Sequence, residues 1–256
     1  MSTFSDQKLL NRFKDKSAFT REELFDYFRD FEPDLKEETL AWRIYDLKKR
    51  GIIQPVKRGV YTSSPKPTYT PQPSDKLGSL ARKIQHQFSG IETCMWETQW
   101  INEFSRHQAG KNIRIIEIEK EFVESLYYYL NDYFSFDFFV NPDEKVMDYY
   151  VSESDEPVVI KQLITRSPTQ TRTERNVQIP VPLLEKILVD LYVDKKLFFF
   201  YQGGELNTIF ERALTTYTLN FTKLFSYARR RGKMDEIKAY IKRHASHLEI
   251  KEIFDD

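Results

Sequence analysis

Four prolines within one short segment constrain this chain more than any other feature of its sequence. They lie in Thr62-Ser-Ser-Pro-Lys-Pro-Thr-Tyr-Thr-Pro-Gln-Pro73. Each proline fixes φ and lacks an amide donor, so neither a helix interior nor a central strand can run through this segment. The chain therefore folds as one unit before the segment and another after it. The segment itself is either an exposed connector or an extended strap packed on the second unit.

We favour the connector and expect three parts. These are a first domain over residues 1–63, a proline-rich connector over 64–74 and a larger domain over 75–256. A chain of 256 residues, of which 40% are hydrophobic, can build two modest cores. The sequence shows neither a positively charged leader nor an apolar run near the ~20 residues that cross a bilayer. We therefore expect a cytoplasmic protein without a membrane partner.

Cysteine and histidine are too sparse for metal chemistry based on thiolate or imidazole. Cys94 is the single cysteine, so the chain can form neither an internal disulfide nor a cysteine-rich zinc site. The four histidines are scattered and show no ligand spacing. We expect neither a metal nor another cofactor.

The first domain has the element order of a winged helix. Thr20 and Glu23 have the spacing of a capping box at the start of the second of three amphipathic helices. The third helix has Leu40, Ile44 and Leu47 on its inner face, and Gly51 ends it. Two short apolar runs around Lys57-Arg58-Gly59 then indicate a β-hairpin. This order predicts an N-terminal winged helix-turn-helix.

The second domain mixes strand and helix patterns. Strands are predicted over residues 113–119, 136–140 and 158–164, the first of them half-buried by its alternation. Helices are predicted over residues 75–88, 98–107, 122–133, 182–194, 205–217, 221–231 and 234–244. The expected fold class is α+β, with a winged helix-turn-helix followed by a larger α+β domain whose C-terminal half is helical.

The formal net charge is zero, but the charges are segregated along the chain. Residues 35–61 hold seven basic and three acidic residues, and residues 210–247 hold nine and three. Residues 143–156 hold six acids and one lysine. Two basic regions and one acidic region thus coexist, and the basic ones suit a polyanionic partner.

The basic residues of the winged helix predict contacts with duplex DNA. In this fold the third helix enters the major groove and the hairpin lies on the backbone. Arg43 is the best candidate for a base contact, because a guanidinium pairs bidentately with guanine. Helical rotation places Trp42, Asp46 and Lys49 outward, although Trp42 also suits packing under the wing or against the second domain. The predicted DNA-binding residues are Lys36, Thr39, Arg43, Lys48, Lys49, Arg50, Lys57 and Arg58.

Three segments resemble AbiEi-type antitoxins. They are Leu47-Lys-Lys-Arg-Gly-Ile-Ile-Gln-Pro-Val-Lys-Arg-Gly-Val-Tyr61, Ile179-Pro-Val-Pro-Leu-Leu-Glu-Lys-Ile-Leu-Val-Asp-Leu-Tyr-Val-Asp194 and Tyr227-Ala-Arg-Arg-Arg-Gly-Lys233. The resemblance implies an antitoxin of a toxin–antitoxin system in abortive infection, a form of phage defence. Such a protein is a transcriptional repressor of its own operon. It counters a nucleotidyltransferase-like toxin without needing a stable complex, so the implied partners are operator DNA and, functionally, the toxin.

No pattern predicts a catalytic site, but two other functions stay open. Glu117, Glu119 and Lys120 could supply the acids and the lysine of a metal-dependent nuclease that the winged helix targets to DNA. A non-catalytic adaptor would use the winged helix to bind protein instead. An exposed helix surface explains the pair Glu185-Lys186 and the acids Asp190 and Asp194. The resemblance implies that these residues are a structural landmark of the family and not catalytic.

A second basic surface is predicted near the C-terminus, at Arg229, Arg230, Arg231 and Lys233. Three consecutive arginines cannot all turn inward on a helix. The surface is either a further nucleic-acid contact or a solvated face that neutralises the acidic residues 143–156.

Overall fold

The computed structural model describes residues 5–63, 66–107 and 111–244, and it confirms the α+β fold class. The first domain is a winged helix-turn-helix. Its helices are α1 (Asp6–Phe13), α2 (Arg21–Arg29) and α3 (Glu37–Lys49), and its strands are β1 (Phe19–Thr20), β2 (Gln54–Lys57) and β3 (Val60–Thr62). The strands form one antiparallel sheet in the order β1-β3-β2.

Local sequence explains the ends of these elements. The capping box is present, since the Glu23 amide donates to Thr20 Oγ1 over 3.1 Å and the Thr20 amide donates to Glu23 Oε2 over 2.7 Å. Gly51 (φ 72°) lies just past the end of α3 and Gly59 (φ 75°) lies in the hairpin turn, where a residue with a Cβ would be strained. Leu40, Ile44 and Leu47 are buried as the helical spacing predicts.

The second domain contains more strands than the sequence indicates. Its strands are β4 (Thr93–Glu97), β5 (Arg114–Ile118), β6 (Asp137–Val140), β7 (Pro157–Gln162), β8 (Thr169–Glu174) and β9 (Val177–Pro182). Its helices are α4 (Asp75–Gln87), α5 (Val123–Asn131), α6 (Glu144–Val146), α7 (Leu184–Val193), α8 (Gly204–Thr216), α9 (Phe221–Arg230) and α10 (Met234–His244). Residues 98–103, expected as part of an α-helix, form a 3₁₀ helix. A π-helical turn, Met147–Val151, directly follows α6. None of the described helices is long and apolar enough to cross a membrane.

A four-stranded sheet in the order β4-β5-β7-β6 forms the centre of the second domain. β4 runs antiparallel to β5, whereas β5, β6 and β7 are parallel. β8 and β9 form a hairpin, and β9 packs against β4. The expectation that the strand at 113–119 is half-buried is wrong, because all of β5 is buried. Arg114 and Glu117, an odd number of residues apart, lie on opposite faces of the sheet, and both faces are covered.

The described part of the proline-rich segment is packed against the second domain, as the strap alternative has it. Tyr69 is buried and packs on Phe104 and Tyr217. The Thr218 amide donates to the carbonyl of Pro67 over 3.0 Å, and Trp100 Nε1 donates to the carbonyl of Gln72 over 3.1 Å. Residues 66–73 therefore tie the end of the winged helix to the larger core.

The described residues form two hydrophobic cores, a small one in the winged helix and a large one in the second domain. The helices of the winged helix enclose a small core around Leu9, Leu24 and Leu40. Two inward residues of the hairpin, Val56 and Val60, pack instead with the large core of the second domain. The hairpin thus links the two domains.

Candidate nucleic-acid interface

The outer face of α3 combines basic and aromatic side chains. Trp42 and Tyr45 are 66% and 61% exposed, so Trp42 packs neither under the wing nor against the second domain. Four of the predicted DNA-binding residues are exposed on or beside this face: Lys36, Thr39, Lys48 and Lys49. Within the described parts of the chain, none of these three lysines has a carboxylate within 4.0 Å. Their charges are therefore available to a partner.

Arg43 is placed differently from the expectation of a base contact. Its guanidinium lies 5.0 Å from the ring centroid of Phe28 and forms an ion pair with Glu32. The side chain is only 26% exposed. Reaching a base edge would require breaking both contacts, so the structure gives Arg43 a role in joining α3 to α2.

Arg50 is also held within the winged helix. Its Nη1 forms an ion pair with Asp6 of α1, and its Nε donates to Asp46 over 2.7 Å. The hydrogen bond to Asp6 is the largest effect on the pKa of Arg50 and raises it. Asp46, expected to face outward, is half-buried in this pair. The two arginines predicted to bind DNA from α3 and its end are thus both engaged in ion pairs within the winged helix.

The tip of the hairpin contacts the second domain. Lys57 is half-buried, whereas the side chain of Arg58 is exposed. The backbone amide of Arg58 donates to Thr222 Oγ1 of α9 over 2.8 Å. This bond anchors the wing and leaves the guanidinium of Arg58 in solvent.

The outer face of α9 continues from this anchor. Its exposed residues are Thr222, Lys223, Ser226, Arg229 and Arg230. Arg230 Nη1 donates to Thr165 Oγ1 over 3.1 Å. Among the described residues, neither Arg229 nor Arg230 has a carboxylate within 4.0 Å. The acidic residues 143–156 therefore do not neutralise this surface by ion pairs in the described structure.

The structure places Arg231 and Lys233 in ion pairs, although the sequence predicts both in the second basic surface. Arg231 turns inward, and its Nη1 and Nη2 bind Asp190 over 2.6 Å and Asp194 over 2.5 Å. Lys233 is half-buried and pairs with Glu236 over 2.7 Å. The helical rotation that frees Arg229 and Arg230 carries Arg231 into the core.

A buried ionic network lies between the central sheet and α7. Lys186 is fully buried; its Nζ donates to Glu117 Oε1 of β5 over 2.8 Å and forms an ion pair with Asp190. Asp190 also accepts from the hydroxyl of Tyr227 over 2.9 Å. The expectation that Glu185, Lys186 and Asp190 lie on an exposed surface is therefore wrong, because α7 is buried over most of its circumference.

The pKa shifts in this network follow from burial and charge. Burial alone would lower the pKa of Lys186, but attraction to Asp190 and Glu117 outweighs it and raises that pKa well above its usual value. Burial would raise the pKa of Asp194, yet Lys161 and Arg231 lower it overall. The carboxyl of Glu185, outside the network, has its pKa raised by burial. The network therefore holds charged partners that neutralise one another inside the protein.

The nuclease residues do not meet at an open site. Glu117 Oε1 accepts from Lys186 and from Trp96 Nε1, so this carboxylate is already committed. Glu119 accepts a hydrogen bond from the Glu92 amide over 3.0 Å, and Lys120 is exposed in the next turn. No group of three or more metal-binding side chains occurs among the described residues.

One comparison with known proteins identifies the family. Residues 39–247 match the model of a family of unknown function, DUF6577. The chain belongs to the DUF6577 family. The DUF6577 match runs from within α3 through both strands of the wing to the end of α10, so the family unit includes the wing as well as the second domain. No curated protein matches the chain.

Sequence reasoning missed three features of this surface. Tyr45 was not placed on the outer face of α3, although it is three residues from Trp42 and therefore on the same side. The contact between Arg58 and Thr222 joins residues 164 apart, and no local pattern indicates it. Lys223 was counted in the basic region, but its position beside the wing follows only from that contact.

Proposed function

We propose that this DUF6577 protein binds duplex DNA through its winged helix, with α3 in the major groove and the wing on the backbone. One observation carries the proposal. Arg21, Arg43 and Arg50 of the winged helix are paired with acids. Lys36, Lys48 and Lys49 on or beside the outer face of α3 and Arg58 at the wing tip have no carboxylate partner among the described residues. Unpaired cations at these places suit phosphates, which supply most of the affinity for DNA.

Base recognition is assigned to Thr39 and Trp42 rather than to Arg43. Thr39 is exposed one helical turn from Arg43 and can form hydrogen bonds with a base edge. Trp42 and Tyr45 present apolar surface that suits thymine methyl groups. Arg43 meanwhile positions α3 through its contacts with α2.

We also propose that α9 adds a second contact beyond the wing, through Lys223, Arg229 and Arg230. From Thr222 to Arg230 the helix rises about 12 Å, at ~1.5 Å per residue. This length corresponds to about three or four base-pair steps of the duplex. The anchored wing and α9 would then contact neighbouring phosphates of one DNA molecule.

The biological role that we propose is autorepression by an antitoxin, with a nucleotidyltransferase-like toxin as the functional counterpart. Support for this role comes from the resemblance of three segments to AbiEi-type antitoxins. Two of these segments contribute Lys186, Asp190 and Arg231 to the buried network. The resemblance therefore includes residues that hold the second domain together. The test is to express the chain together with a nucleotidyltransferase-like toxin from its own genomic neighbourhood. The proposal expects growth to be rescued, and absence of such a neighbour or of rescue would contradict it.

A protein-binding adaptor is the second candidate, because two large exposed aromatic residues on one helix face are typical of protein interfaces.

Selection of binding sites from a pool of random duplexes, using the full chain, separates the two functions. The proposal expects enrichment of one sequence and its loss in the variant Lys48→Ala/Lys49→Ala. The matched control Arg82→Ala/Lys120→Ala removes the same charge from exposed positions of the second domain. Failure of the wild-type chain to retain any duplex would favour the adaptor.

A further inference from the structure

The two edges of the central sheet differ in how they are covered. β4 lies under the β8–β9 hairpin, whereas β6 pairs only with β7 among the described strands. The amides of Asp137 and Asn141 donate to carbonyls on the β7 side, at Glu156 over 3.2 Å and Ile160 over 3.0 Å. Because the main chain alternates along a parallel strand, the backbone N–H and C=O groups of Phe138 and Val140 point away from β7. β6 therefore offers an open edge to another strand.

A groove follows this edge. It consists of two adjoining depressions of about 530 and 520 Å³ that share Tyr127, Phe138 and Phe139. Tyr128 lines the first depression, and Tyr149 and Tyr150 of the π-helical turn line the second. These three tyrosines are 68%, 71% and 64% exposed. Exposed aromatic rings in depressions along an open strand are unusual on a surface that has no partner.

The groove is strongly acidic. Glu124 and Asp143 line one depression, and Asp137 and Glu153 line the other. Asp148 precedes Tyr149 in the sequence. Within the described residues, Glu124, Asp148 and Glu153 have no basic side chain within 4.0 Å. Lys145 is the single basic residue of residues 143–156. These charges oppose a second copy of the chain that would pair edge to edge, since it would bring the same acids together.

We propose that β6 and this groove bind an extended, basic segment of another protein, which adds a strand to the sheet. Main-chain hydrogen bonds to Phe138 and Val140 would supply affinity, and arginine or lysine side chains would provide specificity. A guanidinium can stack on the tyrosine faces and pair with the neighbouring carboxylates. This partner surface is separate from the proposed DNA contacts and does not depend on them.

The probe is an octapeptide of alternating arginine and valine, added to the full chain at saturating concentration. Amide hydrogen exchange should slow at Phe138 and Val140, while Asp137 and Phe139, which already face β7, change little. An octapeptide of alternating glutamate and valine is the charge control. Unchanged exchange at Phe138 and Val140 when the basic peptide is bound would overturn strand addition.

Two variants separate the backbone from the charges. Val140→Pro removes an outward amide while keeping the bonds to β7, and should lower the affinity for the basic peptide at least tenfold. Glu124→Lys/Glu153→Lys reverses one carboxylate in each depression. This variant should do the same without changing β6, and it also covers the case in which the proline variant does not fold. Affinity equal to wild type in Glu124→Lys/Glu153→Lys, or in a folded Val140→Pro, would contradict the proposal.

Discussion

At the residue scale, the structure separates cations that are paired with acids of their own chain from cations whose charges face solvent. Arg43, Arg50 and Arg231 were all expected at a nucleic-acid surface, and each is paired with acids of its own chain. Lys48, Lys49, Arg58 and Arg229 have the same charge and no acid beside them among the described residues. Helical spacing predicts which residues turn inward, but it does not say where their carboxylate partners lie. The sequence therefore predicts the basic face, but it does not predict which basic residues on it are held in ion pairs.

The first prediction contrasts two neighbours on α3. Arg43→Ala should lower the free energy of unfolding by about 1 kcal/mol, because it removes a cation–π contact and an ion pair. It should leave discrimination between specific and random duplexes unchanged. Trp42→Ala should keep the stability and reduce that discrimination by ~1–3 kcal/mol. Chemical denaturation measures the stability, and competition binding measures the discrimination. Loss of discrimination in Arg43→Ala but not in Trp42→Ala would assign the base contact to Arg43.

The second prediction concerns the buried lysine. Lys186→Met should lower the free energy of unfolding by ~3–5 kcal/mol, because Glu117 and Asp190 lose their shared cation inside the protein. Adding Glu117→Gln should recover part of that loss. The control Lys196→Met changes an exposed lysine 3.9 Å from Glu144 and should stay within about 0.5 kcal/mol of wild type. Equal urea midpoints for Lys186→Met and wild type would show that the network adds no stability.

At the scale of elements, apolar patterns predict the long helices, the wing hairpin and three strands of the central sheet, but not β4, β8 and β9 of the second domain. β4 is buried on both faces and shows no alternation, and β8 has no buried residue. The turn between β8 and β9 uses Arg175 and Asn176 at φ 46° and 68°, a pair less diagnostic than asparagine followed by glycine. α7 was misjudged because its charged residues are paired in the core. Local patterns thus predict elements, whereas ionic contacts between elements follow only from the fold.

The third prediction tests α9 as an element. Arg229→Glu/Arg230→Glu should weaken binding of the full chain to duplex DNA, since both side chains are exposed on α9, which contacts the wing at its other end. Arg231 must stay intact, because its removal would break the pairs with Asp190 and Asp194. Circular dichroism verifies the fold, and Arg82→Glu/Lys120→Glu is the charge-matched control. If the two double variants bind DNA equally well, α9 lies outside the interface.

At the scale of the whole molecule, the wing and the strap connect the winged helix to the second domain. The Arg58–Thr222 bond and the packing of Tyr69 fix the orientation of the wing, and neither contact is visible in local sequence. The proline pattern allows both a connector and a strap. The contacts of Tyr69 with Tyr217 and Trp100, which lie far along the chain, decide in favour of the strap. The DNA contact that we propose from α3 to α9 depends on this linkage.

The fourth prediction follows from the lowered pKa of Asp194. A carboxylate whose folded pKa lies below its unfolded value of 3.8 stabilises the protein fully above that value and loses this effect as pH falls through the folded pKa. Asp194→Asn should therefore destabilise the protein most at pH 6, and the difference from wild type should shrink below about pH 4. Denaturation at several pH values measures it. A difference that grows on acidification would contradict the sign of the shift.

The salt dependence of duplex binding by the full chain tests the central claim most directly. The variant Lys48→Ala/Lys49→Ala/Arg58→Ala removes three proposed phosphate contacts from α3 and the wing. Each contact contributes about 0.9 to the slope of log affinity against log salt concentration, so the slope should become shallower by about 2.7. The control Arg82→Ala/Lys120→Ala should keep the wild-type slope. An unchanged slope in the triple variant, or no measurable binding of duplex by the wild-type chain at low salt, would contradict DNA binding by the winged helix.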